Sequence, residues 1–316
     1  MSGRSSTPRR PPTRRRNWRA ALSTDVWRRT ETPGAKPYVI GDPGRAATQL
    51  EPGPPTRFPD SADHELSECR VPGAQVRAAS VRGILHRYRN QPRQDRFSVV
   101  FDPPTMTLVV TVCDGVGQFP LSQEAAGFAA ADVPRAYLRH GDWQIAVTEV
   151  NERLKDFVAT AGSRPHLDHV PDGVRMATTL VAAAICLDPD ARHVSVAWTD
   201  DSSAWLLADG RWRNLTHDPA AGDDDNGLHS GRVRALPHAD PRLRTAEHLL
   251  GDGPIFLMTD GVGVPLEGSV QVRETLAGWW ATAPDVFTFA QQVGFARKGH
   301  MDDRTVVGVW FEASRP

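Results

Sequence analysis

The stretch FSVVFDPPTMTLVVTVCDGVG, residues 97–117, decides how the fold is read. Two runs rich in β-branched residues, 97–101 and 105–113, flank Asp102-Pro103-Pro104. Proline fixes φ and lacks an amide hydrogen, so these residues form a turn between two strands. The second run ends in Asp114-Gly115-Val116-Gly117, an acid at the tip of an apolar strand.

Working outward, residues 122–139 and 143–161 carry apolar side chains at helical spacing: Ala126, Ala129 and Ala130, then Val147, Val150, Leu154 and Val158. Residues 177–187, 193–199 and 204–208 read as strands. Asp209-Gly210 is a hairpin signal leading into 211–214. Residues 254–259 make an apolar strand, 266–280 and 284–296 read as helical, and 305–311 as a closing strand. This order is not strict β–α alternation. It predicts an α+β fold in which helices cover antiparallel sheets. The polar stretch 219–252, with Asp223-Asp224-Asp225-Asn226-Gly227, reads as a mobile excursion.

Residues 1–75 differ from the rest. Arg and Pro dominate at first, and residues 1–30 hold nine Arg against one acid, Asp25. Such a segment buries too little apolar surface to offset its ordering entropy. Residues 1–20 are expected to be disordered. Residues 21–75 read as an extended arm whose Trp27, Tyr38, Val39 and Ile40 dock on a domain spanning 76–316. The formal net charge of the chain is −1, so the total gives no nucleic-acid reading.

Three cysteines, Cys69, Cys113 and Cys186, have no metal-ligand spacing and make no disulfide framework. Cys113 and Cys186 lie in apolar runs and read as small buried side chains. The longest apolar run, near residues 176–187, is broken by two threonines and falls short of the roughly 20 residues of a membrane span. The basic N-terminus lacks an apolar core to follow it, so no signal peptide is read. A cytoplasmic location is expected.

Acids recur at strand ends. Thr259-Asp260-Gly261 follows the apolar 255–258, Asp302-Asp303-Arg304-Thr305 precedes the last strand, and Asp200-Asp201 occupies a turn between strands. Any one of these is an ordinary turn. Together they put several carboxylates where strand ends converge, and converging carboxylates need cations between them. Oxygen ligands without a His or Cys cluster suit Mg²⁺ or Mn²⁺ rather than zinc.

From about residue 79 to 311 the chain resembles the metal-dependent type 2C protein phosphatases (the PPM family), in their compact bacterial form. The resemblance runs through Arg82-Gly83, Gln94-Asp95, Asp114-Gly115-Val116-Gly117, Ala177-Thr178-Thr179-Leu180-Val181, Asp201-Ser202, Leu215-Thr216, Thr259-Asp260-Gly261 and Asp302-Asp303-Arg304-Thr305, in family order. It implies a four-layer αββα sandwich, two antiparallel sheets flanked by pairs of helices. It implies that Asp114 bridges two ions, Mn²⁺ or Mg²⁺, that the Gly115 carbonyl binds one, and that Asp260 and Asp302 complete the other. The activity implied is hydrolysis of phosphoserine and phosphothreonine in proteins by a metal-bridging water, without a phosphoenzyme. The implied partner is a phosphoprotein, the product of a cognate kinase, with neither membrane nor nucleic acid.

The chain departs from the family pattern at four places. The usual acidic pair before the first strand is Gln94-Asp95, so the second ion has one charge fewer near it. The usual phosphate-binding Arg, three residues after the glycine, is His86, with Arg87 and Arg89 nearby as substitutes. The His that follows the bridging Asp-Gly in eukaryotic members is Val116. The turn around Asp201 has lost its Gly and Arg, and Val264 replaces an Asp, which leaves Asp201 alone toward an accessory third ion. The alternative reading is a non-catalytic binding module on the same fold, with Gln94 and Val264 as marks of decay. Asp114, Asp260 and Asp302 are all retained, and decayed sites lose such residues.

Overall fold

A computed structural model describes residues 38–50, 62–119, 121–163, 175–217, 235–241 and 243–312. One sheet has six strands: β1 (His64–Val71), β2 (Ala74–Val81), β7 (Ser203–Ala208), β8 (Arg211–Asn214), β10 (Ile255–Met258) and β11 (Arg304–Phe311), in the order β1-β2-β11-β10-β7-β8. The other has five: β3 (Arg96–Asp102), β4 (Thr107–Cys113), β5 (Leu180–Cys186), β6 (His193–Thr199) and β9 (Arg244–Leu249), in the order β3-β4-β5-β6-β9. Every pairing is antiparallel.

The period-2 pattern of β4 explains the layering. Leu108, Val110 and Val112 point into the space between the sheets, where they meet Val307, Val309, Leu257 and Ala78. Val109 and Cys113 point the other way, onto α3 (Ser122–His140) and α4 (Trp143–Ala159). Each side chain of this size that is fully buried contributes roughly 1.5–3 kcal/mol. A third cluster lies outside the six-stranded sheet. There Phe256, Met258 and Val306 meet Leu266, Leu276, Trp280 and Phe289 from α5 (Asp260–Gly268), α6 (Val270–Trp280) and α7 (Val286–Val293). The fold is therefore α+β in four layers, with two long helices on one side and three short ones on the other.

Local chemistry sets the helix ends. Gly141 closes α3 in the left-handed region, and the Asp142 carboxylate accepts from Ile145 N at 2.9 Å to start α4. The helix pair is anchored by Trp143, which stacks on Tyr137 and donates its indole N–H to Ser195 Oγ at 3.0 Å. The expected single helix over 266–280 is two helices. Ser269 sits extended between them, and its hydroxyl accepts from Val272 N to cap α6.

Three strands lie where none was named: β2 (Ala74–Val81) crosses the boundary read at residue 76, and the other two are β1 and β9. β1 begins at His64, ahead of the boundary read at residue 76, and β9 lies inside the stretch read as a mobile excursion. Both are sheet edges whose residues are partly buried or exposed, strictly alternating only in β9, so their polar composition masks a half-buried face. The readings placed on residues 1–20, Trp27 and Asp223-Asp224-Asp225 fall outside the described residues. Ile40 is buried among the α6–α7 side chains, Tyr38 rests edge-on against Trp279, and Ile40 N donates to Ala296 O. The short α1 (Ala46–Gln49) follows. Among the described residues, no helix is long and apolar enough to cross a membrane.

Candidate active site

Antiparallel pairing brings one end of both sheets together. Val81 is opposite Arg304, Met258 is opposite Val306 and Ser203, and Arg96 is opposite Cys113. The residues just beyond these ends are Asp114, Asp260, Asp302-Asp303, Gln94-Asp95 and Gly83. Each sequence-expected acid therefore arrives at one end of the sandwich on a different strand.

Asp114 is held by its backbone. Its carbonyl accepts from Thr179 N at 2.8 Å and from the Thr178 hydroxyl at 2.9 Å. Gly115 bridges to Thr178, and a Cβ at Gly115 would lie 2.9 Å from both the carbonyl oxygen and the Cβ of Gln94. Only glycine lets the Gln94 segment close on the Asp114 turn. The Ala177-Thr178-Thr179 motif thus fixes the acid turn, and Thr179 Oγ1 continues to Ser202 Oγ at 2.8 Å, beside the exposed Asp201.

Asp260 begins α5 rather than lying in an isolated turn. A Cβ at Gly261 would sit 2.0 Å from the Asp303 carbonyl oxygen, so glycine is required where α5 meets the Asp302-Asp303 segment. Arg304 ties the same two segments. Its buried guanidinium donates to Gly261 O at 3.1 Å and His300 O at 2.7 Å, and it stacks over Phe295. Burial lowers the Arg304 pKa to about 10, against the pull of Asp302, Asp260 and Asp303.

Asp302 and Asp303 have opposite surroundings. The Asp302 side chain is 61% exposed, whereas Asp303 is 2% exposed and fully engaged. Asp303 Oδ1 accepts from Gly83 N at 2.6 Å and lies 2.9 Å from His86 Nδ1, and Oδ2 accepts from Gln94 N at 2.6 Å. His86 is in α2 (Ile84–Arg89), which Gly83 starts. Burial alone would lower the His86 pKa, but the hydrogen bond and charge of Asp303, then Asp302 and Asp95, carry it upward. Arg87, next on α2, is half-buried, and its Nε has no partner.

Asp95 is 1% exposed. Its Oδ2 accepts from the Thr259 hydroxyl at 2.9 Å and the Thr305 hydroxyl at 2.8 Å. Burial first, then the charge of Asp303, raises its pKa well above the usual carboxylate range. Asp114 is raised in the same sense by burial, then by Asp95, Asp260, Asp302 and Asp201. Asp260 is raised by burial and Asp302, against a hydrogen bond that it shares with Asp114. Gln94 is 3% exposed, yet its Oε1 has no hydrogen-bond partner, and neither has Asp260 Oδ1. Buried, orphaned oxygens among mutually repelling carboxylates form a donor set that fits a hard divalent cation.

The structure therefore gathers Asp95, Asp114, Gly115, Asp260, Asp302, Gln94 and His86, with Arg87 beside them and Asp201 at the exposed margin. Sequence reasoning assigned no part to Asp303, Thr259, Thr305 or Arg304. All four stood inside quoted motifs, and that was their only signal.

The family model described as protein phosphatase 2C matches residues 82–294. Among solved structures, a bacterial serine phosphatase is 12% identical with a TM-score of 0.52, covering 76% of this chain and 99% of that one. PppA of Pseudomonas aeruginosa, described as a key regulatory component of T6SS, is 19% identical with a TM-score of 0.50, covering 76% and 98%. A C. elegans sex determining protein is 18% identical with a TM-score of 0.52, covering 76% and 65%. At these identities the likeness is one of fold. A comparison with curated proteins finds no match.

Proposed function

The chain belongs to the protein phosphatase 2C family, and on that premise we propose that it is a metal-dependent protein serine/threonine phosphatase. The observation that carries this reading is the convergence of the buried Asp114 and Asp260 carboxylates at the sheet ends, beside the exposed Asp302. Asp114, Gly115, Asp260 and Asp302 would hold two divalent cations, Mn²⁺ or Mg²⁺, with Gln94 and Asp95 behind them and Asp201 at an accessory position. Bound there, the cations would supply an acidified water and screen the phosphoryl charge.

The chain's own residues set the geometry. Thr178 and Thr179 fix the Asp114 carbonyl, Asp303 fixes the Gly83 and Gln94 amides, and Arg304 fixes the start of α5. Arg87, with a buried and unpaired Nε at the same end, is the donor proposed for substrate phosphate. His86 is buried and tied to Asp303, which leaves Nε2 as its available nitrogen. The substrate class is a phosphorylated Ser/Thr protein, the product of a kinase. The catalytic unit is proposed to be the domain read at residues 76–316, extended at its start to take in β1 from His64 and preceded by a basic arm, in a cytoplasmic protein.

The test is phosphate release from a phosphothreonine peptide by the full chain. Release that needs Mn²⁺ or Mg²⁺ and stops on chelation supports the reading. Undiminished release after exhaustive cation removal overturns it, and so does no release with either cation.

A further inference from the structure

His86, Asp302 and Asp303 form a tight group, each able to place one ligand atom within 4.8 Å of the others. The hydrogen bonds within it separate the roles. Both Asp303 oxygens are taken, by Gly83 N and His86 Nδ1 on one side and Gln94 N on the other. Asp303 is thus an orienting group. His86 is 6% exposed, and a neutral ring whose Nδ1–H rests on a buried carboxylate carries its lone pair on Nε2. That atom stands 3.8 Å from Asp302 Oδ1. The separation is too long for a hydrogen bond, and it suits two ligand atoms reaching toward one ion. A carboxylate behind a histidine nitrogen, holding its ring and tautomer, is the arrangement found around histidine metal ligands.

We propose that His86 is a nitrogen ligand to the cation bound by Asp302, with Asp303 as the carboxylate that orients it. The inference rests on the metal-site reading above and deepens it, because it gives one of two otherwise oxygen-ligated ions a mixed nitrogen and oxygen set. Imidazole favours transition metals over Mg²⁺, so this ion should be the selective one. Gln94 belongs to the same construction. Its amide is held by the carboxylate that holds His86, and its own Oε1 is buried without a partner.

The test is electron spin-echo envelope modulation of Mn²⁺ bound to the full chain, in natural-abundance protein and in protein labelled with ¹⁵N-histidine. The expected result is a directly bound nitrogen whose modulation changes on labelling, which needs no substitution. It should vanish in His86→Gln and persist in His300→Gln. By calorimetry, His86→Gln should weaken Co²⁺ roughly ten-fold or more, while Mg²⁺ changes by less than about three-fold. Mn²⁺ bound with no nitrogen coupling, or coupling that survives in His86→Gln, overturns the inference and leaves the metal-site reading intact. Failure of the full chain to bind Mn²⁺ at all overturns both.

Discussion

The Thr305 hydroxyl lies 2.8 Å from Asp95 Oδ2, and the Thr259 hydroxyl closes on the same oxygen at 2.9 Å. Thr259 directly follows β10 and Thr305 is the second residue of β11, so Asp95 is pinned across two neighbouring strands of the opposite sheet. Thr305 N also donates to Thr259 Oγ1 at 3.1 Å, and Thr305 Oγ1 lies 2.7 Å from Ser80 Oγ, so the polar network runs on to β2. Two hydroxyls on one oxygen thus hold the buried Asp95 carboxylate in place.

Thr305→Val keeps the shape of the side chain and deletes one donor. Leaving a buried acceptor short of a partner costs about 1–3 kcal/mol. Urea unfolding should show a loss in that range, with the slope of the transition unchanged. A variant as stable as the parent would mean that Asp95 does not depend on this hydroxyl.

Stability of the cation-free protein should fall as pH rises. Asp95, Asp114 and Asp260 have folded-state pKa values raised above those of the unfolded chain. The folded state therefore binds more protons, and this contribution is present at low pH and lost as pH climbs through the raised values. His86 is raised as well, so its share is complete below the unfolded value near 6.5 and lost above the folded one. All four act in one direction. The melting temperature should drop between about pH 5 and pH 8 in chelator. Saturating Mn²⁺ should flatten the profile by replacing the protons. A chelated protein that gains stability over this window would contradict the assignment.

The inner strands were legible because β4 and β5 are long β-branched or small apolar runs. The acids of Asp114 and Asp260 were legible because each follows such a run and precedes a glycine. Asp303 was not, since two adjacent aspartates look alike in sequence although one is exposed and the other is the hub of three hydrogen bonds. Thr259 and Thr305 passed as β-formers. His64–Val71 and Arg244–Leu249 escaped because an edge strand buries alternate residues only partly and keeps charges on the rest. Ser269 hid a helix break, since the apolar spacing continues on both sides of it.

Asp114→Asn should lose far more activity than Asp201→Asn. Asp114 lies among Asp95, Asp260 and Asp302, whereas Asp201 is exposed on the turn between β6 and β7. Losing the central charge weakens the hold on both proposed cations, and several kcal/mol of transition-state stabilisation corresponds to roughly 100-fold or more in turnover. For Asp201→Asn the change should stay within about ten-fold. Phosphate release at saturating Mn²⁺ measures both, and equal losses would show that the core of the site is misassigned.

Gln94→Glu should tighten cation binding. Gln94 is buried against the Asp114 turn, and its Oε1 has no partner, so a carboxylate there would point into the same space with an added charge. A unit charge about 4 Å from a divalent cation gives several kcal/mol at an effective dielectric of about 20. Desolvation cancels much of it, which leaves a net gain of about 1–2 kcal/mol. The Mn²⁺ concentration for half-maximal phosphate release should then fall roughly ten-fold. Turnover at saturating Mn²⁺ need not rise, because tighter binding of the ion is not stabilisation of the transition state. The same substitution adds an acid to a cluster of raised carboxylates, so without cations the variant should melt below the parent. Both effects come from one charge and must appear together. An unchanged Mn²⁺ requirement would mean that the Gln94 side chain does not face the cations.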